Sequence, residues 1–290
     1  MSDGTATHGP VLAGVEESSY QQDVVRYAAR QAQLHRRSLH LLNVVDSRDG
    51  SGADRDETAS GASRMESLAA LVRQEFPDVP SSVEGVAGRP SEVLLDRSAK
   101  ASLLVLGHRG SGGFARLPLG SVSLQVATHA DCPVLVVRPG ERSEVPEQRV
   151  VTGVDISDVS EAALDLAYAE AALRGARLEL VHGSFHFSEV PIGPGMAAPD
   201  FEALDELARR VLEAEADKRR DRFPEVRTDI RVERVRPSTV LTEASRRASL
   251  MVVGSHGRTG LRRLMLGSVS AETLHSAACP VLVVPPSDQD

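Results

Sequence analysis

Gly107 and Gly110, then nine residues, then Gly120-Ser121, form a pattern that returns at Gly254, Gly257 and Gly267-Ser268. Glycine lets a ligand approach the backbone closely and in places permits positive φ. A Gly-Ser pair opening a helix presents free N–H groups and a hydroxyl where anions are favoured. The chemistry is that of a phosphate cradle, present twice. The alternative is a set of glycines that only end a strand and turn the chain. Repetition at one spacing favours the cradle, although duplication accounts for part of the agreement. No Gly-Lys-[Ser/Thr] is present, so this is not a Walker-type loop. Residues Gly110 to Ala115 resemble a dinucleotide fingerprint, but they follow the fourth strand, and the second copy loses the pattern.

Basic side chains crowd both loops: Arg109 and Arg116 in the first, His256, Arg258, Arg262 and Arg263 in the second. A solvated basic face is the other reading of each. A charge-assisted hydrogen bond contributes about 1.5–3 kcal/mol, and micromolar affinity needs about 8 kcal/mol net. Several backbone N–H bonds together with one or two cations reach that figure; neither group alone does. Asp155 and Glu16 follow the first strand of each copy. A carboxylate there can accept from ribose hydroxyls, hold a metal ion, or cap the next helix, a role for which Ser157 and Asp158 compete. Glu16 is one methylene longer than Asp155 and places its oxygens differently.

Two copies of one unit must position these groups. Ala101 to Gly107 aligns with Ala248 to Gly254, Cys132 to Val137 with Cys279 to Val284, and Arg89 with Arg236, all 147 positions apart (254 − 107, 279 − 132, 236 − 89). Gly14-Val15-Glu16 aligns with Gly153-Val154-Asp155 at 139 (153 − 14), so the second copy gains eight residues between His182 and Arg236. The period is that of domain duplication, not of a solenoid. The polar stretch Pro139–Gln148 is the seam, giving domains 1–143 and 144–290.

Each copy alternates strands with helices. In the first, strands are expected at Val11–Val15, Leu39–Val45, Ser82–Val86, Leu103–Leu106 and Val134–Val137. Helices are expected at Gln22–Arg37, Arg64–Glu75 (stopped by Pro77), Ser91–Ala99 (Ser91 as N-cap) and Ser121–Thr128. The second copy repeats this from Arg149 to Val284. The fold class is α/β: two tandem doubly wound, Rossmann-like domains, each a parallel sheet with helices on both faces. Ligands of such sheets sit beyond the strands' carboxyl ends at the switch point. Asp46–Ser63 and Gly183–Asp200 read as long polar loops, either lids or disordered.

The 290 residues fit two domains. A net charge of −8 argues against nucleic-acid binding. Cys132 and Cys279 read as buried thiols of a reducing compartment rather than a disulfide. Met1 to Gly9 lacks the apolar run of a signal peptide, and no stretch is long enough to span a membrane. A cytoplasmic protein is expected.

These residues resemble the universal stress protein family in its tandem form. The resemblance rests on Gly-x2-Gly-x9-Gly-[Ser/Thr] in both copies, Gly-Val-Asp after the first strand, the apolar fourth strand ending in glycine, and Cys-Pro-Val-Leu-Val-Val. It implies a five-stranded sheet of order 3-2-1-4-5 per domain and an ATP site, with or without magnesium. The implied second site uses Asp155, Gly183 (main chain), Gly254, His256, Gly257, Gly267, Ser268, Val269 and Ser270. The implied first site uses Glu16, Val44 (main chain), Gly107, Arg109, Gly110, Gly120, Ser121, Val122 and Ser123. Glu16 and Arg109 depart from the family pattern and rank the first site below the second. The family also pairs units through the fifth strand, here Val134–Val137 and Val281–Val284, and a homodimer is expected.

The leading function is an ATP-binding stress or signalling module with an unidentified protein partner. Slow ATP hydrolysis or phosphoryl transfer is the second reading. It requires a metal clamp and a residue to orient the nucleophile. Asp155 and His256 could serve, but spacing fixes no second carboxylate. An interaction module with vestigial nucleotide sites is the third.

Overall fold

A computed structural model describes residues 9–18, 20–45, 55–108, 119–138, 148–184, 200–255 and 265–286. The chain divides into two compact units, mainly between Glu141 and Arg142. Unit 1 runs β1 (Val11–Val15), α1 (Gln21–Leu34), β2 (Leu39–Val45), α2 (Arg55–Glu75), β3 (Ser81–Ala87), α3 (Pro90–Ser98), β4 (Leu103–Gly107), α4 (Ser121–His129) and β5 (Val134–Val137). The second half of the chain runs β6 (Arg149–Gly153), α5 (Glu161–Arg174), β7 (Arg177–Gly183), α6 (Phe201–Arg220), β8 (Thr228–Glu233), α7 (Pro237–Ser245), β9 (Leu250–Gly254), α8 (Ser268–Ser276) and β10 (Val281–Val284); Leu282–Val284 of β10 are grouped with unit 1.

The strands of unit 1 lie in the order β3-β2-β1-β4-β5. β1 pairs in parallel with β2 on one side and β4 on the other. In unit 2, β6 likewise pairs with β7 and β9, and β7 with β8. Met251 at the start of β9 donates its N–H to the carbonyl of Pro280, just before β10. Central strands are apolar runs because helices cover both faces: Leu103–Leu106 and Val134–Val137 are buried throughout. Buried Thr152 in β6 satisfies its hydroxyl on the Val252 carbonyl at 3.0 Å. The outer strand β3 is only partly covered.

Strand registers locate the length difference between the copies. Leu39 pairs with Ser81 and Leu178 with Thr228, so the offset is 139 at β7 and 147 at β8 (178 − 39, 228 − 81). The extra eight residues fall between those strands.

Three local expectations are corrected. α2 begins at Arg55, not Arg64, so part of the expected loop Asp46–Ser63 is helix. That stretch has no apolar periodicity, and Asp56, Thr58, Ser60, Gly61 and Ser63 are weak helix formers, so nothing local marks it as helix. α1 ends at Leu34, three residues before Arg37, because Arg36 adopts φ 52°. α3 starts at Pro90 with Arg89 as its N-cap in extended conformation and no side-chain cap. Proline's fixed φ suits the first helical position, so Ser91 lies inside the helix. Residues 46–54 and 185–199, most of the two expected lids, lie outside the described residues.

Between α1 and α2, Arg26 forms a two-pronged bridge to Glu75, with N–O distances of 2.9 and 2.9 Å. At the equivalent place in unit 2 the signs are exchanged: Arg222, two residues beyond the end of α6, donates to Asp165 of α5 at 2.7 Å. α5 and α6 are further joined through the buried Arg219 guanidinium, which bonds Glu215 at 2.9 Å, Asp165 at 2.7 Å and Glu161. Cys132 and Cys279 are buried thiols, not joined in a disulfide. Burial, aided by the Asp131 charge, pushes the Cys132 thiol up to about 12, so it is inert at neutral pH. No described helix is long and apolar enough to cross a membrane.

Candidate functional site

The sheet topology brings the glycine motif and the acidic residue of each unit to one edge. The chain leaves β1 toward β2 and leaves β4 toward β5, so their carboxyl ends flank a switch point. Glu16 follows β1, Gly107 ends β4, and α4 starts nearby at Ser121.

Two hydrogen bonds clamp the start of α4 to the end of β4. The Gly120 N–H donates to the His108 carbonyl at 2.7 Å, and the Ser123 hydroxyl donates to the Gly107 carbonyl at 2.6 Å. Unit 2 repeats both bonds: Gly267 N–H to Ser255 at 2.9 Å and Ser270 hydroxyl to Gly254 at 2.6 Å. Neither helix has a side-chain N-cap. Among the described residues, nothing accepts from the amides of Ser121, Val122 and Ser123, or of Ser268, Val269 and Ser270. Helix starts leave such donors unsatisfied unless a cap, water or ligand takes them. Ser121 and Ser268 are exposed, so their hydroxyls share this rim. Ser123 and Ser270 are buried, and their hydroxyls are committed to the strand carbonyls. Only their main chains remain for a ligand.

The glycines at the described motif positions, Gly107, Gly120, Gly254 and Gly267, are not among those with positive φ. Gly120 and Gly267 have extended dihedrals (φ −74° and −54°). Left-handed backbone is therefore not what glycine supplies there. Arg109, Gly110, Arg116, His256, Gly257, Arg258, Arg262 and Arg263 lie outside the described residues.

Asp155 does not cap α5. Ser160 does, accepting from the Ala163 N–H at 3.3 Å. The Asp155 Oδ1 instead accepts from the Ser157 N–H at 3.0 Å and its hydroxyl at 2.6 Å. This turn leaves the exposed carboxylate beside the edge, with no partner for Oδ2 among the described residues. Glu16 is also exposed. Gly183 ends β7, where an added Cβ would lie 2.7 Å from the Cα of Pro237. Close approach of α7 thus explains this glycine, whereas Val44 occupies the same position in β2.

Sequence reasoning missed the cross-strand ties beneath the acidic residues. Asn43 donates to the Val15 carbonyl at 2.9 Å, and His182 Nδ1 donates to the Val154 carbonyl at 2.9 Å. A carbonyl only accepts, so the proton is on Nδ1 in His182. A polar residue at one repeat position of two apolar strands was the available signal. Also missed was the Tyr20–His108 pair of unit 1, whose ring centroids are 6.4 Å apart across the β1 and β4 ends. Val159 and Ser255 stand at these positions in unit 2.

An uncapped helix start and an exposed carboxylate at one crevice suit a ligand carrying phosphates and hydroxyls, so the residues fit a nucleotide. Residues 8–138 and 147–285 each match the universal stress protein family. The chain belongs to the universal stress protein family. A universal stress protein of Mycolicibacterium smegmatis is 33% identical over 296 aligned positions, spanning 97% of this chain and 99% of that one. Another from Mycobacterium tuberculosis is 32% identical, spanning 98% of each chain. A crystal structure of a universal stress protein from Archaeoglobus fulgidus has a TM-score of 0.70 at 19% identity, covering 98% of this chain and 99% of that chain. At that identity the likeness is one of fold. Tandem universal stress protein domains therefore account for both copies of the repeat.

Proposed function

We propose that the protein is an ATP-binding module of the stress response, with one nucleotide site in each unit and the tighter site in unit 2. The carrying observation is the pair of uncapped helix starts, α4 and α8, each clamped beside the strand that ends the glycine motif. Three convergent amides per site, plus the loop cations, supply the several hydrogen bonds that a phosphate tail needs. The helix dipole adds only about 0.3–1 kcal/mol, so the directed amides carry the binding. Asp155, oriented by Ser157, accepts from ribose hydroxyls, and the main chain at Gly183 or Val44 borders the base. Bound ATP supplies a polyanion that bridges the two sides of the crevice, and a change in that bridge is what a protein partner reads. Unit 1 ranks second because Glu16 and Arg109 replace the better-suited residues.

Calorimetric titration with ATP, with and without magnesium, tests this reading. Two sites are expected, and Gly267→Ala weakens the tighter one while Gly120→Ala weakens the other, each by about tenfold or more, or 1.4 kcal/mol. No binding at millimolar ATP refutes the proposal, and equal losses from the two variants refute the ranking. Multiple turnovers abolished by Asp155→Ala would reassign the site to ATP hydrolysis.

A further inference from the structure

At the opposite, amino-terminal end of the unit 1 sheet, three side chains form a directed chain. His40 lies directly across from Ser82 in the β2–β3 register, and Glu84 is two residues further along the same face of β3. His40 Nδ1 is 2.8 Å from the Ser82 hydroxyl and Nε2 is 2.9 Å from Glu84 Oε2. The Arg97 guanidinium holds both oxygens of Glu84 at 2.8 Å. The carboxylate accepts, so Nε2 carries a proton. In the neutral ring Nδ1 is then a lone pair that receives the serine O–H. We propose that Ser82 is a nucleophile, with His40 as its general base and Glu84 as a positioning residue, that takes acyl groups from small activated esters.

Two further observations support this. The Arg97 bond, and then the His40 bond, hold the Glu84 carboxyl below its ordinary range, so it is ionised and orients the imidazole at neutral pH. β3 is the end strand of the order. The Leu39 N–H bonds the Pro80 carbonyl. By the alternation of a parallel ladder, the Ser82 peptide then faces β2 and the Val83 N–H faces the open edge. That N–H, next to the nucleophile, is a donor for a developing oxyanion. Ser82 is itself exposed.

The second copy is an internal control. At the same positions it has Glu179, Asp229 and Arg231, and the ion pair Arg177–Asp229 at 3.8 Å joins β7 to β8. Holding this sheet edge together therefore does not require a serine–histidine–glutamate chain.

In the reaction, the Ser82 oxygen bonds to the acyl carbon and its proton passes to His40 Nδ1. That proton then goes to the departing alkoxide or aryloxide as the ester C–O bond breaks. Water, deprotonated by the same imidazole, releases the carboxylic acid and restores Ser82.

The full chain is treated with p-nitrophenyl acetate and, separately, with a fluorophosphonate, and the modified peptides are identified by mass spectrometry. Expected is an adduct on Ser82 at a rate at least about tenfold above exposed Ser121, slowed about 100-fold in His40→Ala. Glu84→Gln slows it as well, and Ser82→Ala abolishes it with the circular dichroism unchanged. Labelling of wild-type Ser82 no faster than Ser121 overturns the proposal without any variant. So does a folded His40→Ala protein that labels at the wild-type rate.

Discussion

Arg36 and Gly175 occupy one repeat position and one backbone conformation, with φ of 52° and 58°. Both follow a helix whose end is closed by an amide bond reaching five residues back, Arg37 N–H to Ala32 in one unit and Ala176 N–H to Ala171 in the other. The left-handed region costs an L-residue about 1–2 kcal/mol, and glycine escapes that cost. Gly175→Arg is therefore expected to lower stability by about 1–2 kcal/mol, and Arg36→Gly to raise it by up to about 1 kcal/mol, read from urea midpoints. The glycine motif was legible at this scale because a spacing repeated twice is a property of the sequence. The true cap Ser160 and the ties made by Asn43 and His182 were not. Each depends on where a loop or neighbouring strand brings a backbone group, which no local pattern records.

Among the helices, α2 and α6 fill the same place with different chemistry. α2 buries Leu68 and Val72; α6 sets Glu215 and Arg219 there, the side chains 8% and 4% exposed. Burial pushes the Glu215 carboxyl up, but bonds from Lys218 and Arg219 more than reverse this and leave it below its ordinary value. Arg219→Ala leaves Glu215 with Lys218 as its remaining cation and takes the buried guanidinium from Asp165 and Glu161, and is expected to cost up to about 3 kcal/mol. Glu215→Leu with Arg219→Val restores the apolar pair of α2 and is expected to be far less destabilising than the single change. A carboxyl with a depressed folded pKa contributes stability above its unfolded pKa and loses it as pH falls through the folded one. Acid titration of the double variant should therefore show a shallower loss than wild type. The central strands could be read from the sequence because they are continuous apolar runs. The start of α2 could not, since a polar helix shows the same composition as a polar loop.

Across the whole molecule, the duplication sets a hazard that the charges answer. Two similar halves on one chain can fold with a helix of one seated against the sheet of the other, a known failure of tandem domains. The exchanged signs at Arg26–Glu75 and Asp165–Arg222 oppose this. Seating α1 against α6 would set Arg26 against Arg222, and seating α5 against α2 would set Asp165 against Glu75. Each native pairing is an attraction and each crossed pairing a repulsion, which is specificity by difference. Arg26→Asp with Glu75→Arg gives both units the same polarity. This variant should keep a native bridge and a near-native urea midpoint while refolding from denaturant in lower yield. An unchanged yield would show that the charges discriminate nothing. Swapped polarity thus acts as a kind of address label: it tells each half of a chain descended from a single ancestral unit which helix is its own.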